Sequence, residues 1–124
     1  MQTQNIKSRS YKDLIVWQKS VNLSILVYKL TSNFPKEEIY GITSQMRRSA
    51  ISIPSNLAEG SMRGTEKDFR NFIKIALGSG AELQTQLYIA KQLTFVEESD
   101  YNGIEGLLSE VMKMLHSLSF SLKT

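Results

Sequence analysis

Apolar residues along this chain recur at steps of three and four in four long runs, with no strand-like alternation of useful length. That period follows the turn of an amphipathic helix and predicts four helices. The first spans Tyr11 to Ser32; Leu14, Trp17, Val21, Ile25 and Tyr28 form one stripe, and Val16, Leu23, Val27 and Leu30 widen it into a second. A bundle helix needs one stripe, so the excess suggests contacts beyond its own bundle or a deeply buried helix. The second helix spans Pro35 to Gly60, with Ile39, Ile42, Met46, Ala50, Ile53 and Leu57 as its stripe. The third opens at Thr65 and Asp68, a capping-box spacing, and aligns Phe69, Phe72, Ile73, Ala76, Gly80, Leu83, Leu87 and Ala90. The fourth starts near Glu97 or Ser99 and carries Ile104, Leu107, Leu108, Val111, Leu115, Leu118 and Leu122.

The connections are short. Asn33, Phe34 and Pro35 separate the first two helices, and proline suits a first helical turn. Gly60 reads as a C-terminal stop before a loop at Ser61 to Gly64, and Thr94 to Glu98 form the last connection. Long helices on short connections imply an all-α, antiparallel up-down-up-down four-helix bundle, roughly 30 Å long for helices of about 20 residues. Residues 1–10 are expected as a flexible N-terminal tail, and residues 11–124 as one domain.

The stretch from Gln45 to Gly60, QMRRSAISIPSNLAEG, departs from an ordinary surface helix. Beside the apolar stripe lies a polar one of Gln45, Arg48, Ser49, Ser52, Ser55, Asn56 and Glu59. A helix with no uniformly charged face is covered on most sides, and its buried polar groups must then find partners. Pro54 removes a backbone hydrogen bond, yet the apolar period continues to Leu57, so a continuous, kinked helix is expected. In the third helix, Gly78, Ser79, Gly80 and Ala81 interrupt the long side chains, which suggests close approach of another backbone.

Composition narrows the function classes. With no cysteine, disulfides and thiolate zinc sites are excluded. No apolar run approaches a membrane span, and the N-terminus lacks the apolar segment of a signal peptide, so a cytoplasmic protein without membrane contact is expected. The net charge is +3, with basic residues concentrated before Lys36 and acids after Leu93. That asymmetry either steers an anionic partner or reflects two solvated faces.

Catalytic patterns are missing from the sequence. His116 is the sole histidine and Lys113 stands where a Glu-x-x-His pair needs its glutamate, so no metal or cofactor is expected and His116 reads as a partly buried bundle residue. Neither a phosphate-binding loop nor a nucleophile elbow occurs, and the glycines of the third helix lack a dinucleotide fingerprint's spacing. Glu59 and Glu82 read as hydrogen-bonded or ion-paired structural groups, with an acid–base pair as the alternative. A non-enzyme is expected. One binding feature stands out. Arg63, Lys67, Arg70 and Lys74 line one side of the third helix, and Arg47 joins them if the second helix packs alongside. Such a row either tracks a phosphate backbone or is a solvated face.

The run VWQKS at Val16 to Ser20, then Pro35 and Glu38, then Gln45, Arg48, Ser52, Ile53, Pro54, Asn56, Glu59 and Gly60 resembles a known family, as do Phe69, Ala76, Gly78, Ser79 and Glu82. The combination S-x-P-S-N-x-A-E-G with a later G-S-x-x-E is specific, and the likeness runs from Tyr11 to Leu122. The family is that of the four-helix-bundle proteins encoded by intervening sequences of bacterial 23S rRNA genes. It is also similar to the accessory variability determinant protein of diversity-generating retroelements. The resemblance implies a homopentamer, with the extra stripe of the first helix and the polar seam of the second facing neighbouring copies. It also implies that Arg47, Arg63, Lys67, Arg70 and Lys74 contact RNA or DNA. The alternative is a structural or protein-interaction scaffold with no nucleic-acid role. Gln45, Arg48, Ser52, Pro54, Asn56, Glu59, Gly60, Gly78, Ser79 and Glu82 then read as architecture.

Overall fold

The structure, a computed structural model, describes residues 10–122, so the expected tail lies outside the described residues except for Ser10. Four helices form: α1 (Ile15–Thr31), α2 (Ile42–Met62), α3 (Glu66–Gln92) and α4 (Glu98–Ser121), with 3-10 turns at Tyr11–Asp13 and Lys36–Glu38. Each helix packs on the next and α4 returns to α1, while the backbones of the diagonal pairs α1–α3 and α2–α4 stay further apart. Cross-helix pairs fix the directions. Ser24 meets Ala50 and Thr31 meets Arg47; Ser52 meets Ser79; Arg70 meets Leu122; Lys19 meets Glu110. With Gly60 level with Phe72, Gly80 level with Met112, Leu30 beside Gly103 and Leu14 beside Met114, rising numbers on one helix meet falling numbers on its neighbour in every adjacent pair, which is the antiparallel up-down-up-down order.

Two helix starts lie later than the apolar period suggests. Ser10 caps the first 3-10 turn through Lys12 N–H at 3.1 Å, and Leu14 is extended, so α1 starts at Ile15. Gly41, at φ −113° and ψ −119°, lies outside helical space and delays α2 to Ile42, leaving Ile39 49% exposed instead of in the core. Thr65 does cap α3, accepting from Asp68 N–H at 3.1 Å. Gly60 does not stop α2. It lies inside the helix because Phe69 and Phe72 of α3 close over it, and a Cβ there would fall 2.6 Å from the Phe72 Cβ. The residue with left-handed backbone in this connection is Gly64, at φ 94°.

The core also reassigns the stripes of α1. Val16, Leu23 and Val27, from the stripe expected to widen the apolar face, are buried. The other stripe divides, with Leu14 and Trp17 packed against the core and Ile25 and Tyr28 48% and 41% exposed. Buried Ser20 and Thr31 return their hydroxyls to carbonyls of α1, at 2.9 Å to Trp17 and 2.8 Å to Val27. Ser24 does more. Pro54 has no N–H for the carbonyl of Ala50, four residues back, and the Ser24 hydroxyl, its proton shared with the Ser20 carbonyl at 3.0 Å, reaches that oxygen at 3.1 Å. The helix therefore runs through Pro54 unbroken with its stranded acceptor satisfied from α1.

Candidate functional site: a polar seam and a basic edge

The polar residues of the motif form two groups that share Ser52 and Ser79. One is embedded. The Asn56 amide donates to the Ser52 carbonyl at 2.8 Å and to the Ser52 hydroxyl at 2.9 Å, and Ser79 of α3 meets that hydroxyl at 2.7 Å. Pro54 and Gly60 are buried beside it. The other group lines an open cleft of about 280 Å³ between α2 and α3, formed by Gln45, Arg48, Ser49, Ser52, Ser79, Glu82 and Gln86. Gln45, Arg48 and Glu82 are exposed, and neither Arg48 nor Glu82 forms an ion pair among the described residues. Gln86 was not singled out from the sequence, although it follows Ser79 and Glu82 at steps of three and four on the same face.

Glu59 is exposed and pairs with Arg63 at 2.9 Å, four residues on. It does not reach Arg48. Gly60 lies level with Phe72 of α3, and Glu82 is ten residues further along that helix, about 15 Å at the helical rise. The two glutamates therefore do not share a site. His116 is exposed rather than partly buried, because α4 turns its Val111–Leu115 side inward. Among the described residues no group of three or more His, Cys, Asp or Glu side chains could hold a metal, and no helix is long and apolar enough to cross a membrane.

The basic residues do not all share a surface. Lys67 and Lys74 are exposed on α3, with Arg70 between them donating to the Leu122 carbonyl at 3.4 Å. Arg63 lies at the same end, over the Phe72 ring at 4.9 Å. Acids accompany this edge at Glu59, Glu66 and Asp68. Arg47 is elsewhere. Its guanidinium sits 4.6 Å over the Tyr28 ring and donates to the Thr31 hydroxyl at 2.8 Å, facing α1. Sixteen residues of α2 separate it from Arg63, about 24 Å along the axis. The glycines of α3 also diverge. A Cβ on Gly80 would meet the Met112 sulfur at 2.2 Å, a side chain of α4 and not a backbone, whereas nothing lies within 4 Å of one on Gly78.

These features define an all-α four-helix-bundle protein whose motif residues gather at one helix–helix seam. The chain belongs to the 23S rRNA-intervening sequence protein family, whose model matches residues 12–117. It is similar to the crystal structure of a protein of unknown function from the S23 ribosomal protein family of Bacteroides thetaiotaomicron, at 26% identity and a TM-score of 0.76, covering 89% of this chain and 100% of that one. No curated protein matches the chain.

Proposed function

We propose that this chain is a non-catalytic, self-associating bundle protein that binds RNA or DNA electrostatically. The observation that carries the nucleic-acid reading is the exposed pair Lys67 and Lys74, one turn either side of Arg70 on α3. Phosphates along a nucleic-acid strand match such a row, and no base-specific group is needed. Arg63, already held by Glu59, contributes less, and Arg47 acts at most as a separate contact.

Fluorescence anisotropy with labelled single-stranded RNA and duplex DNA, titrated across salt, tests it. Binding should weaken with a log–log slope of about −0.7 per phosphate contact on single strands. The double variant Lys67→Glu, Lys74→Glu should lose binding while keeping its helical content. Unchanged binding by that variant overturns the assignment of this edge.

Self-association has separate support. Ile25, Tyr28 and Ile51 expose apolar surface on the α1–α2 side, where they line a groove with Val21 and Pro54. Ile75 and Ile89 expose more on α3. Two different apolar faces joined head to tail build a ring when the rotation between copies closes, and for the pentamer that the family resemblance implies light scattering should give five times the mass of the chain. The same faces favour a second reading, a protein-interaction scaffold, which absence of nucleic-acid binding at low salt would select.

A further inference from the structure

The cleft between α2 and α3 holds hydrogen-bonding groups that the fold leaves unused. Ser49 is 6% exposed, lines the cleft, and its hydroxyl has no partner among the described residues. Ser52 and Ser79 have two hydroxyl protons between them and share one hydrogen bond. Asn56 approaches Ser52 as a donor, so it takes neither proton. One O–H of the pair is therefore left over. Arg48 adds an unpaired guanidinium above these hydroxyls. Along α3 beyond Ser79 the balance reverses. The Gln86 side-chain oxygen is buried with no donor, and Glu82 carries an unpaired carboxylate beside it.

The helix register sets the two groups across the cleft from each other. Ser52 stands level with Ser79, so in an antiparallel pair Arg48 and Ser49 stand near Glu82, and Gln45 near Gln86. Surplus donors thus occupy the Ser52 end and the Arg48 wall; surplus acceptors occupy the Glu82 and Gln86 wall. We infer that this cleft binds a small zwitterion, an amino acid whose carboxylate meets Arg48 and the serine hydroxyls and whose ammonium meets Glu82 and the Gln86 oxygen. Arg48 and Glu82 both line the cleft and neither is ion-paired, whereas Glu59 and Arg63, outside it, are paired with each other. This inference stands apart from the nucleic-acid reading, which uses other residues.

Amide chemical shifts of the full chain test it, with glycine, β-alanine and 4-aminobutyrate as probes and acetate and methylammonium as singly charged controls. The Ser49, Ser52, Ser79 and Glu82 amides should move with at least one zwitterion, and that probe should bind about tenfold more tightly than either control, since both charges contribute. Arg48→Met should lose about tenfold for the zwitterion and abolish the acetate response, whereas Glu82→Gln should lose about tenfold for the zwitterion and leave acetate unchanged. Both side chains are exposed, so the variants keep the fold. Equal binding of acetate and zwitterion overturns the inference, as does no shift with any probe. Cleft amides that move only with protein concentration also overturn it, by making the cleft a contact between copies. RNA binding surviving these variants leaves the basic edge judged on its own test.

Discussion

Pro54 is tolerated inside α2 because Ser24, on a different helix, donates to the carbonyl that the proline strands. Removing that hydroxyl leaves a buried acceptor without a partner. Ser24→Ala should therefore cost about 1–2 kcal/mol in denaturant unfolding. Pro54→Ala restores an N–H to Ala50, so in that background the same change should cost about 1 kcal/mol less, a coupling that a double-mutant cycle reads directly. Thr94 makes the opposite case. It sits at φ 62° just past the end of α3, where Phe95 N–H bonds the Ala90 carbonyl at 2.9 Å and Thr94 N–H bonds that of Lys91 at 3.0 Å. This is a Schellman closure with a β-branched residue where glycine fits best. Thr94→Gly should raise stability by about 1 kcal/mol, seen as a higher unfolding midpoint.

At the scale of elements, three glycines differ in what a side chain there would meet. Gly60 meets the Phe72 Cβ, an atom that cannot move without its backbone, so Gly60→Ala should push α2 from α3 and cost about 2–3 kcal/mol. Gly80 meets the flexible end of Met112, which can swing aside, so Gly80→Ala should cost less than Gly60→Ala in the same urea titration. Gly78 has open space, so under monomeric conditions Gly78→Ala should stabilise α3 by about 0.5–1 kcal/mol. A loss of assembly with that variant would mean that another copy's backbone rests on this face. The apolar period marked which helices exist, but it did not show which stripe of α1 faces inward, because both recur at the same spacing. Contact with α2 and α4 decides that.

Across the whole molecule, the uneven charge along the chain is partly reconciled by the fold. Basic α1 lies against acidic α4, and Lys19 meets Glu110 at 3.1 Å. The exposed pair of Glu59 and Arg63 adds little; Glu59→Ala should change stability by less than about 0.5 kcal/mol, and by less still in high salt.

The sequence by itself determined four helices, their order and most of the core, because helical periodicity and the Thr65 cap depend on neighbours within a few residues. The S-x-P-S-N-x-A-E-G and G-S-x-x-E motifs also disclosed the family before any coordinates. Tertiary structure alone decided which motif residues are bonded and which face a cleft. Whether Ser52 meets Ser79, whether Arg47 turns toward Tyr28 or toward α3, and whether Gly60 ends a helix or admits a phenylalanine are questions about side chains 16 to 27 residues apart or between separate helices. No local period encodes those distances; they follow from how antiparallel helices set their register when the core closes.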